Sequence, residues 1–217
     1  EENVLNSEIK NYKAYIKETI QSIKTPILHT IVTAVYKDAN LVSKLFTVPA
    51  TLASAYTRRG GLCHMIADSC MLAESIVETL NSDSTVTACS YNLDLIKAGL
   101  LLCNVGRAYT IGIDLNDKPE KTEIGLVNSD VTVSRDIVVK TINTLQRNKK
   151  IKYDFNCDLI NDLLHMISSS KSKLEYGAVS VPRSKHAMLL SNIMSLVYTK
   201  GLFENLEQIS DGGRRIK

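Results

Sequence analysis

The sequence lacks a long apolar run. No stretch approaches the ~20 consecutive apolar residues that a helix needs to cross a bilayer. The given sequence also does not begin with the pattern of a secretory signal peptide, which is a positively charged segment, an apolar segment and a cleavage site. Because both absences argue against the membrane-spanning and secreted classes, we expect a cytoplasmic protein that makes no membrane contact.

The sequence also lacks closely spaced cysteine pairs and a large excess of charge of one sign. The cysteines contain no CxxC pair and lie mostly among apolar neighbours: Cys63, Cys70, Cys89, Cys103 and Cys157. This pattern favours reduced, buried thiols over a disulfide framework or a zinc site. Lys and Arg number 26 against 23 Asp and Glu, and the balance of +3 neither requires nor excludes a nucleic-acid partner. A chain of 217 residues can bury a core without metals or disulfides, so no cofactor is expected.

Apolar residues recur at three- and four-residue spacing, the period of amphipathic helices. Helices are predicted over residues 7–23, 28–36, 41–47, 62–80, 94–102, 131–146, 159–169 and 184–206. The segment 94–102 is apolar enough to lie at the centre of a bundle. The polar stretch 112–121 is predicted as an exposed loop, and strand signals are confined to 85–87 and 124–127. The pattern predicts an all-α single domain of about eight to ten helices.

Five short segments follow one another in an informative order. They are FTVPA at 46–50, GGLCH at 60–64, LIKAGLLLCNVGR at 95–107, HMI at 165–167 and KLEYG at 173–177. Their order and spacing resemble the HD domain of the bacterial 3′-5′ exoribonucleases in which an OB fold precedes an HD-superfamily phosphohydrolase. The resemblance covers about residues 7–207 and does not include the OB fold. It implies an HD-like core over 51–207, N-terminal helices over 1–50 that pack on it, and a flexible tail over 208–217.

In that family, imidazoles and carboxylates hold a divalent cation that activates water. The resemblance places His64 at the first metal-binding histidine, but it places Cys103 and Asn104 at a His-Asp pair and Arg107 at a lysine. Asn is a weak, neutral oxygen ligand, and a lone Cys does not replace a His-Asp pair for a hard cation. Gly106, within the same segment, is interpreted as a turn or close-packing residue.

The remaining ligand positions are altered in the same way. A further histidine of the family falls on Asp130, a His-His pair falls on Ser170 and Lys171, and the last aspartate falls on Met194 or Val197. We therefore expect no catalytic residue and no bound metal. The vestigial site that the resemblance implies comprises His64, Cys103, Asn104, Arg107, Asp130, Ser170 and Lys171.

Some of these residues carry more specific predictions. The ammonium of Lys171 is predicted to lie where the cation would have been and to pair with Asp130, because an uncompensated buried charge is costly. The alternative places Lys171 in solvent. His64 is interpreted as a hydrogen-bonded core histidine, His165 as a structural residue, and Cys103 as a buried, inert thiol rather than a nucleophile.

Basic residues flank the motifs that the resemblance brings together at the mouth of the vestigial site. Such a cluster of positive charge could bind a phosphate backbone. Tyr56, Tyr109 and Tyr176 lie near them in sequence and are candidates for stacking on bases. The alternative interpretation is an ordinary solvated surface, since acidic residues are interspersed. The candidate nucleic-acid contacts are Arg58, Arg59, Arg107, Lys171, Lys173, Arg183 and Lys185.

Two functions follow from these observations. The first is a catalytically inactive HD-like module that binds nucleic acid or a protein of nucleic-acid metabolism, as an accessory protein of a phage would. The second is a residual metal-dependent phosphohydrolase or 3′-5′ nuclease that uses His64, Asp130 and Asn104 around one metal. A homo-oligomer is a further prediction, with the apolar N-terminal helix as its surface.

Overall fold

The computed structural model describes residues 2–82, 90–152 and 157–211, with the backbone alone for residues 2 and 205–211. Two short strands, β1 (Ile111–Ile113) and β2 (Pro119–Lys121), and a 3₁₀ turn at Leu174–Tyr176 accompany the helices. The predicted all-α class is confirmed. The helices are α1 (Glu2–Ser22), α2 (Pro26–Val35), α3 (Ala39–Leu45), α4 (Gly61–Ser82), α5 (Leu93–Leu102), α6 (Arg107–Thr110), α7 (Glu123–Val127), α8 (Asp130–Arg147), α9 (Asp158–Ser168) and α10 (Lys185–Asp211).

Helix α5 lies at the centre of the bundle, as its apolar sequence predicts. Every residue in 95–102 is buried, and α1, α2, α4, α9 and α10 pack around this helix. Lys97 is accommodated there because its ammonium lies 2.8 Å from a Glu74 carboxylate oxygen and 2.9 Å from the Ser22 hydroxyl. The other predicted helices begin and end within two residues of their predicted bounds, except that α1 begins at Glu2 and α10 extends to Asp211.

The apolar stripe of α1 is used inside the molecule. Ile16 and, just after the helix, Ile23 are buried in the core. Helix α1 packs on α4 and α5, so its apolar stripe is not the free dimer surface that the sequence suggested. The N-terminal helices and the later helices share one hydrophobic core. Four further members of the stripe are partly buried against that core: Ile9, Tyr12, Tyr15 and Ile20.

A single carboxylate joins the start of α5 to the start of α2. Asp94 Oδ2 accepts hydrogen bonds from the amides of Lys24 at 3.0 Å and Thr25 at 2.7 Å, and from the Thr25 hydroxyl at 2.7 Å. Pro26 then opens α2, at a position where its missing N–H costs no helical bond. The corner between α1 and α2 is thereby fixed to the central helix.

The polar segment 112–121 belongs to a β-hairpin, so its prediction as a plain loop was wrong. Ile111 of β1 pairs with Lys121 of β2 in an antiparallel register. Asp114 closes the turn by accepting hydrogen bonds at 2.8 Å from the amides of residues 116 and 118. Each strand has only three residues, which is too short to give an alternating apolar pattern.

Residues 124–127, a strand candidate in the sequence, belong to α7 instead. The Thr122 hydroxyl accepts a hydrogen bond from the Gly125 amide at 3.1 Å and caps this helix, which favours a helical turn over an extended strand. Residues 208–211, predicted as tail, continue α10, whereas the candidate strand 85–87 and residues 212–217 lie outside the described residues. Within the described ranges no helix has both the length and the apolar character that a membrane span requires.

Candidate binding cleft

The turn after α5 packs directly on the first turn of α8. The Gly106 amide donates to the Ser134 hydroxyl at 2.8 Å, and a β-carbon on Gly106 would lie 2.3 Å from the carbonyl oxygen of Asp130. Only glycine permits this approach, so the prediction that Gly106 is a close-packing residue is confirmed. The approach brings Arg107, at the start of α6, alongside Asp130, at the start of α8.

Arg107, Asp130 and Lys171 form an ion cluster beside this contact. The Asp130 carboxylate lies 2.9 Å from Arg107 Nε and 2.5 Å from Lys171 Nζ. Arg107 also donates from Nη1 to the carbonyl oxygen of Ala50 at 2.6 Å. Burial alone would raise the pKa of Asp130, but the charges of Arg107 and Lys171 lower it below its ordinary value. The predicted pairing of Lys171 with Asp130 is confirmed, and the alternative of a solvent-facing Lys171 is wrong.

A cleft of about 610 Å³, which we call the central cleft, opens beside the ion cluster. It brings together Asn104, Arg107, Ser170 and Lys171 of the vestigial site, although they come from distant parts of the sequence. Met194, which the resemblance placed at the last aspartate, lines it as well. The full lining is Met65, Asn104, Arg107, Ser170, Lys171, Ser172, Tyr176, Met194, Ser195, Tyr198 and Thr199.

The side of the central cleft formed by Asn104 is poor in metal ligands. The Asn104 amide nitrogen lies 3.2 Å from Cys103 Sγ and 3.6 Å from Met194 Sδ. Cys103 is buried, and burial raises the pKa of its thiol to about 12. Cys103 is therefore a buried, inert thiol, as the sequence predicted.

His64 has a different environment, between α1 and the segment before α4. Its ring is stacked on Tyr12 with the ring centroids 4.5 Å apart, and the edge of Tyr56 lies 4.9 Å away. His64 Nε2 lies 3.3 Å from Asp68 Oδ2, and Nδ1 lies 3.4 Å from an Arg58 nitrogen. The tautomer protonated on Nε2 satisfies both contacts, because Nε2 then donates to Asp68 and Nδ1 accepts from Arg58. The predicted hydrogen-bonded core histidine is confirmed, and its partners are separate from the ion cluster.

Asp68 is a residue that sequence reasoning missed, although it stands four positions after His64 on the same helix face. Its carboxylate accepts hydrogen bonds from Tyr56 at 2.7 Å and Lys200 at 2.6 Å, and Lys200 lies 2.8 Å from Glu204. Burial would raise the pKa of Asp68, but its hydrogen-bonded partners hold it at about 2. Ligand atoms of His64, Asp68 and Glu204 lie within 4.8 Å of one another, a spacing that could hold a metal ion. The Lys200 ammonium supplies a positive charge to both carboxylates.

The predicted nucleic-acid contacts only partly converge. Arg107 and Lys171 line the central cleft. Lys173 lies beside it, with its ammonium 5.5 Å from the centre of the Tyr176 ring. Tyr176 lines the cleft and is 62% exposed. These residues therefore combine positive charge with an accessible aromatic ring.

The other predicted basic contacts are not among the residues that line the cleft. Arg58 forms an ion pair with α1 at 2.8 Å, and Lys185 donates to a backbone carbonyl just before α5 at 2.7 Å. The Arg183 amide donates to His165 Nε2 at 2.9 Å, which confirms the structural interpretation of His165. Besides Lys173, the predicted contacts outside the cleft lining are Arg58, Arg59, Arg183 and Lys185.

Two of the three tyrosines predicted to stack on bases make contacts within the protein instead. Tyr56 is 3% exposed, and its hydroxyl also donates to the carbonyl of Val197 at 3.1 Å, so the prediction that it stacks on bases was wrong. Tyr109 is half-buried, and the ammonium of Lys44 lies 4.8 Å from its ring centre. Tyr176 is the candidate that the fold leaves open at the cleft.

Comparison of the chain with protein-family models, with curated proteins and with solved structures finds no match. The HD resemblance therefore stays a prediction from the motifs.

Proposed function

We propose that this chain is a catalytically silent HD-like domain that holds a single nucleic-acid strand in the central cleft. It acts as a cytoplasmic accessory module of nucleic-acid metabolism. The observation that carries the proposal is the contact between Lys171 Nζ and Asp130 Oδ1. By the resemblance, this ammonium takes the place of a metal-bound positive charge, and it also gives the cleft a cation that attracts phosphate.

The proposed lack of catalysis is supported by the groups that face the cleft. Metal-assisted hydrolysis needs ligands that fix a divalent ion and lower the pKa of its bound water. At the corresponding positions the cleft presents the Asn104 amide, the Ser170 hydroxyl and the Met194 thioether. None of these is an anionic ligand for a hard cation. The Asp130 carboxylate, which lies beside Arg107 and Lys171 of the cleft, is already neutralised by these two cations.

Binding of a single strand is supported by the shape and chemistry of the cleft. Arg107 and Lys171 supply positive charge, and Lys173 adds a cation beside Tyr176. A base stacked on an accessible aromatic ring contributes about 1–3 kcal/mol. The volume of about 610 Å³ suits one nucleotide rather than a duplex.

The test is a titration of labelled single-stranded RNA and DNA of about ten nucleotides. Fluorescence anisotropy at several salt concentrations gives the affinity and its salt dependence. Tyr176→Ala should weaken binding about tenfold because it removes a stacking platform. The wild-type affinity should fall with salt with a logarithmic slope between about −1.4 and about −2.1, since two or three cations face the strand.

Leu174→Ala is the matched control for this experiment. Leu174 lies on the same 3₁₀ turn as Tyr176 and is 58% exposed, but it does not line the central cleft. Its substitution should leave the affinity unchanged. No detectable binding of either nucleic acid at low salt would contradict the proposal and leave a protein as the partner.

A residual metal-dependent phosphohydrolase or 3′-5′ nuclease is the alternative, and one observation favours it. The ligand atoms of His64, Asp68 and Glu204 lie close enough together to surround a metal ion. The ion would have to displace the Lys200 ammonium, which lies 2.6 Å from Asp68. Metal analysis of the purified protein and a phosphodiester reporter assay test this function. Stoichiometric metal together with hydrolysis that His64→Ala abolishes would establish the enzyme and overturn the silent domain.

A further inference from the structure

A second cavity of about 380 Å³, which we call the side pocket, also borders the ion cluster. It shares Arg107 and Lys171 with the central cleft, and Asp130 lines it too. The rest of its wall comes from the segment after α3, the end of α6, the hairpin, α7 and the residues just before α8. The proposed function does not use this pocket.

The side pocket carries an excess of positive charge. Arg107, Lys121 and Lys171 line it against the single carboxylate of Asp130, so three cations against one anion leave a formal balance of +2. Arg107 and Lys171 are already bonded to that carboxylate. Lys121 forms no ion pair within the described part of the chain. Its ammonium is therefore available to an anion in the pocket.

A buried hydroxyl in the same wall is unpaired. Thr110 lines the side pocket and is 4% exposed, yet its side-chain oxygen has no hydrogen-bond partner among the described residues. Buried hydroxyl groups in folded proteins are nearly always hydrogen-bonded, because an unpaired one is unfavourable. A polar ligand atom in the pocket would supply the missing bond.

The N-terminal end of α8 adds a third feature. This helix has 18 residues, and Ser129 and Asp130 at its start line the side pocket. The Ser129 hydroxyl accepts a hydrogen bond from the Val131 amide at 3.3 Å and Asp130 stands in the first turn, and the helix dipole favours further negative charge at this end. Cations, a free hydroxyl donor and a helix N-terminus together are the chemistry of an oxyanion site.

From these features we infer that the side pocket binds the terminal phosphate of a nucleic-acid strand, through Lys121 and the hydroxyl of Thr110. A phosphate monoester carries about −1.5 to −2 charge at neutral pH, which matches the balance of the pocket better than the single charge of an internal phosphodiester. The inference rests on the proposed function, because the strand in the central cleft brings its end to the side pocket past the shared Arg107 and Lys171.

The experiment titrates the full chain with four probes. Three are oligothymidines of one length with a 5′-phosphate, a 3′-phosphate or no terminal phosphate, and the fourth is inorganic phosphate. One of the two terminal phosphates should improve affinity about tenfold over the unphosphorylated strand, the effect of charge-assisted hydrogen bonds. Lys121→Ala and Thr110→Val should each remove most of that gain. Lys121 is exposed, so its variant remains informative even where Thr110→Val affects folding.

Lys118→Ala is the control, since it removes the same charge from the same hairpin at a residue outside the pocket lining. Lys118→Ala should keep the higher affinity that the terminal phosphate gives. Equal affinity for all three strands, with no binding of inorganic phosphate, would overturn the inference while leaving strand binding by the central cleft intact. Binding of inorganic phosphate that depends on Lys121, without binding of any strand, would support the phosphate site and contradict the proposed function.

Discussion

Gly106 lies so close to Asp130 that a β-carbon on the glycine would be 2.3 Å from the Asp130 carbonyl oxygen and 2.5 Å from the Ser134 nitrogen. Both neighbours are backbone atoms of α8 and cannot rotate away. Gly106→Ala should therefore push the turn after α5 off α8 and lower the free energy of unfolding by about 3 kcal/mol. Urea denaturation followed by circular dichroism measures this change.

A glycine in the hairpin provides the comparison. A β-carbon on Gly112 would meet only the Thr122 methyl group at 3.4 Å. Gly112→Ala should therefore change the free energy of unfolding by less than about 1 kcal/mol. Similar losses for the two variants would mean that the contact with α8 is not what requires glycine at position 106.

Lys171→Met should also destabilise the fold, because Asp130 loses one of its two cationic partners while its side chain stays largely buried. Arg107 remains bonded to the same carboxylate. We expect a loss of about 1–3 kcal/mol, below the value for a buried charge left wholly unpaired. Chemical denaturation of the purified variant gives the number.

A double-mutant cycle separates this pair from general effects of the methionine. Asp130→Asn should cost less in the Lys171→Met background than in the wild type, because Lys171 is then no longer left without its partner, whereas Arg107 loses Asp130 in both backgrounds. Strict additivity, or a Lys171→Met protein as stable as the wild type, would show that the ion pair contributes nothing to stability.

Acid should destabilise the protein between about pH 4 and about pH 2. The pKa of Asp68 is lowered from 3.8 to about 2, and that of Asp130 is lowered as well. A carboxyl group with a depressed pKa in the folded state stabilises the fold above its unfolded pKa, and this contribution is lost as the pH falls through the folded pKa. The free energy of unfolding, measured in urea across this range, should decline with falling pH.

Asp68→Asn isolates one of the groups responsible. It should lower stability at neutral pH and flatten the decline below about pH 4, because the amide does not titrate. Asp117→Asn is a suitable control, since Asp117 is exposed in the hairpin turn at φ 58, a conformation that Asn also adopts. A decline of unchanged steepness in Asp68→Asn would remove Asp68 from the explanation.

Thiol labelling should distinguish Cys157 from the other described cysteines. Cys63, Cys70 and Cys103 are buried, whereas Cys157 is partly exposed. Burial also raises the pKa of the Cys63 and Cys103 thiols to about 12. Iodoacetamide followed by peptide mass spectrometry should therefore modify Cys157 first in the folded protein. Early labelling of Cys103 would mean an accessible thiolate and would revive its role as a nucleophile.

The sequence predicted those features that depend on local pattern. The strongly apolar sequence of α5, interrupted within 95–102 by Lys97, predicted a central position, and all of 95–102 is buried. The pairing of Lys171 with Asp130 was predictable for a different reason. The motif order placed both residues at one site, and a buried carboxylate there requires a positive partner.

Features that depend on long-range packing were not predicted. Lys200 reaches Asp68 across 132 positions of sequence, and no periodicity connects the two. Tyr56 resembled a surface stacking residue because it precedes two arginines, yet it is buried and its hydroxyl lies 3.1 Å from the Val197 carbonyl oxygen of α10. The side pocket was missed because Thr110 and Lys121 become neighbours only when the hairpin forms.

Arg107 and Lys171 each face two cavities at once. A ligand in one cavity and a ligand in the other therefore contact the same two cations. The factor by which the first ligand changes the affinity for the second equals the factor by which the second changes the affinity for the first. Both proposed occupants are anionic, so two separate ligands would compete for this pair of cations, whereas one strand can place its backbone on one side of the pair and its terminal phosphate on the other.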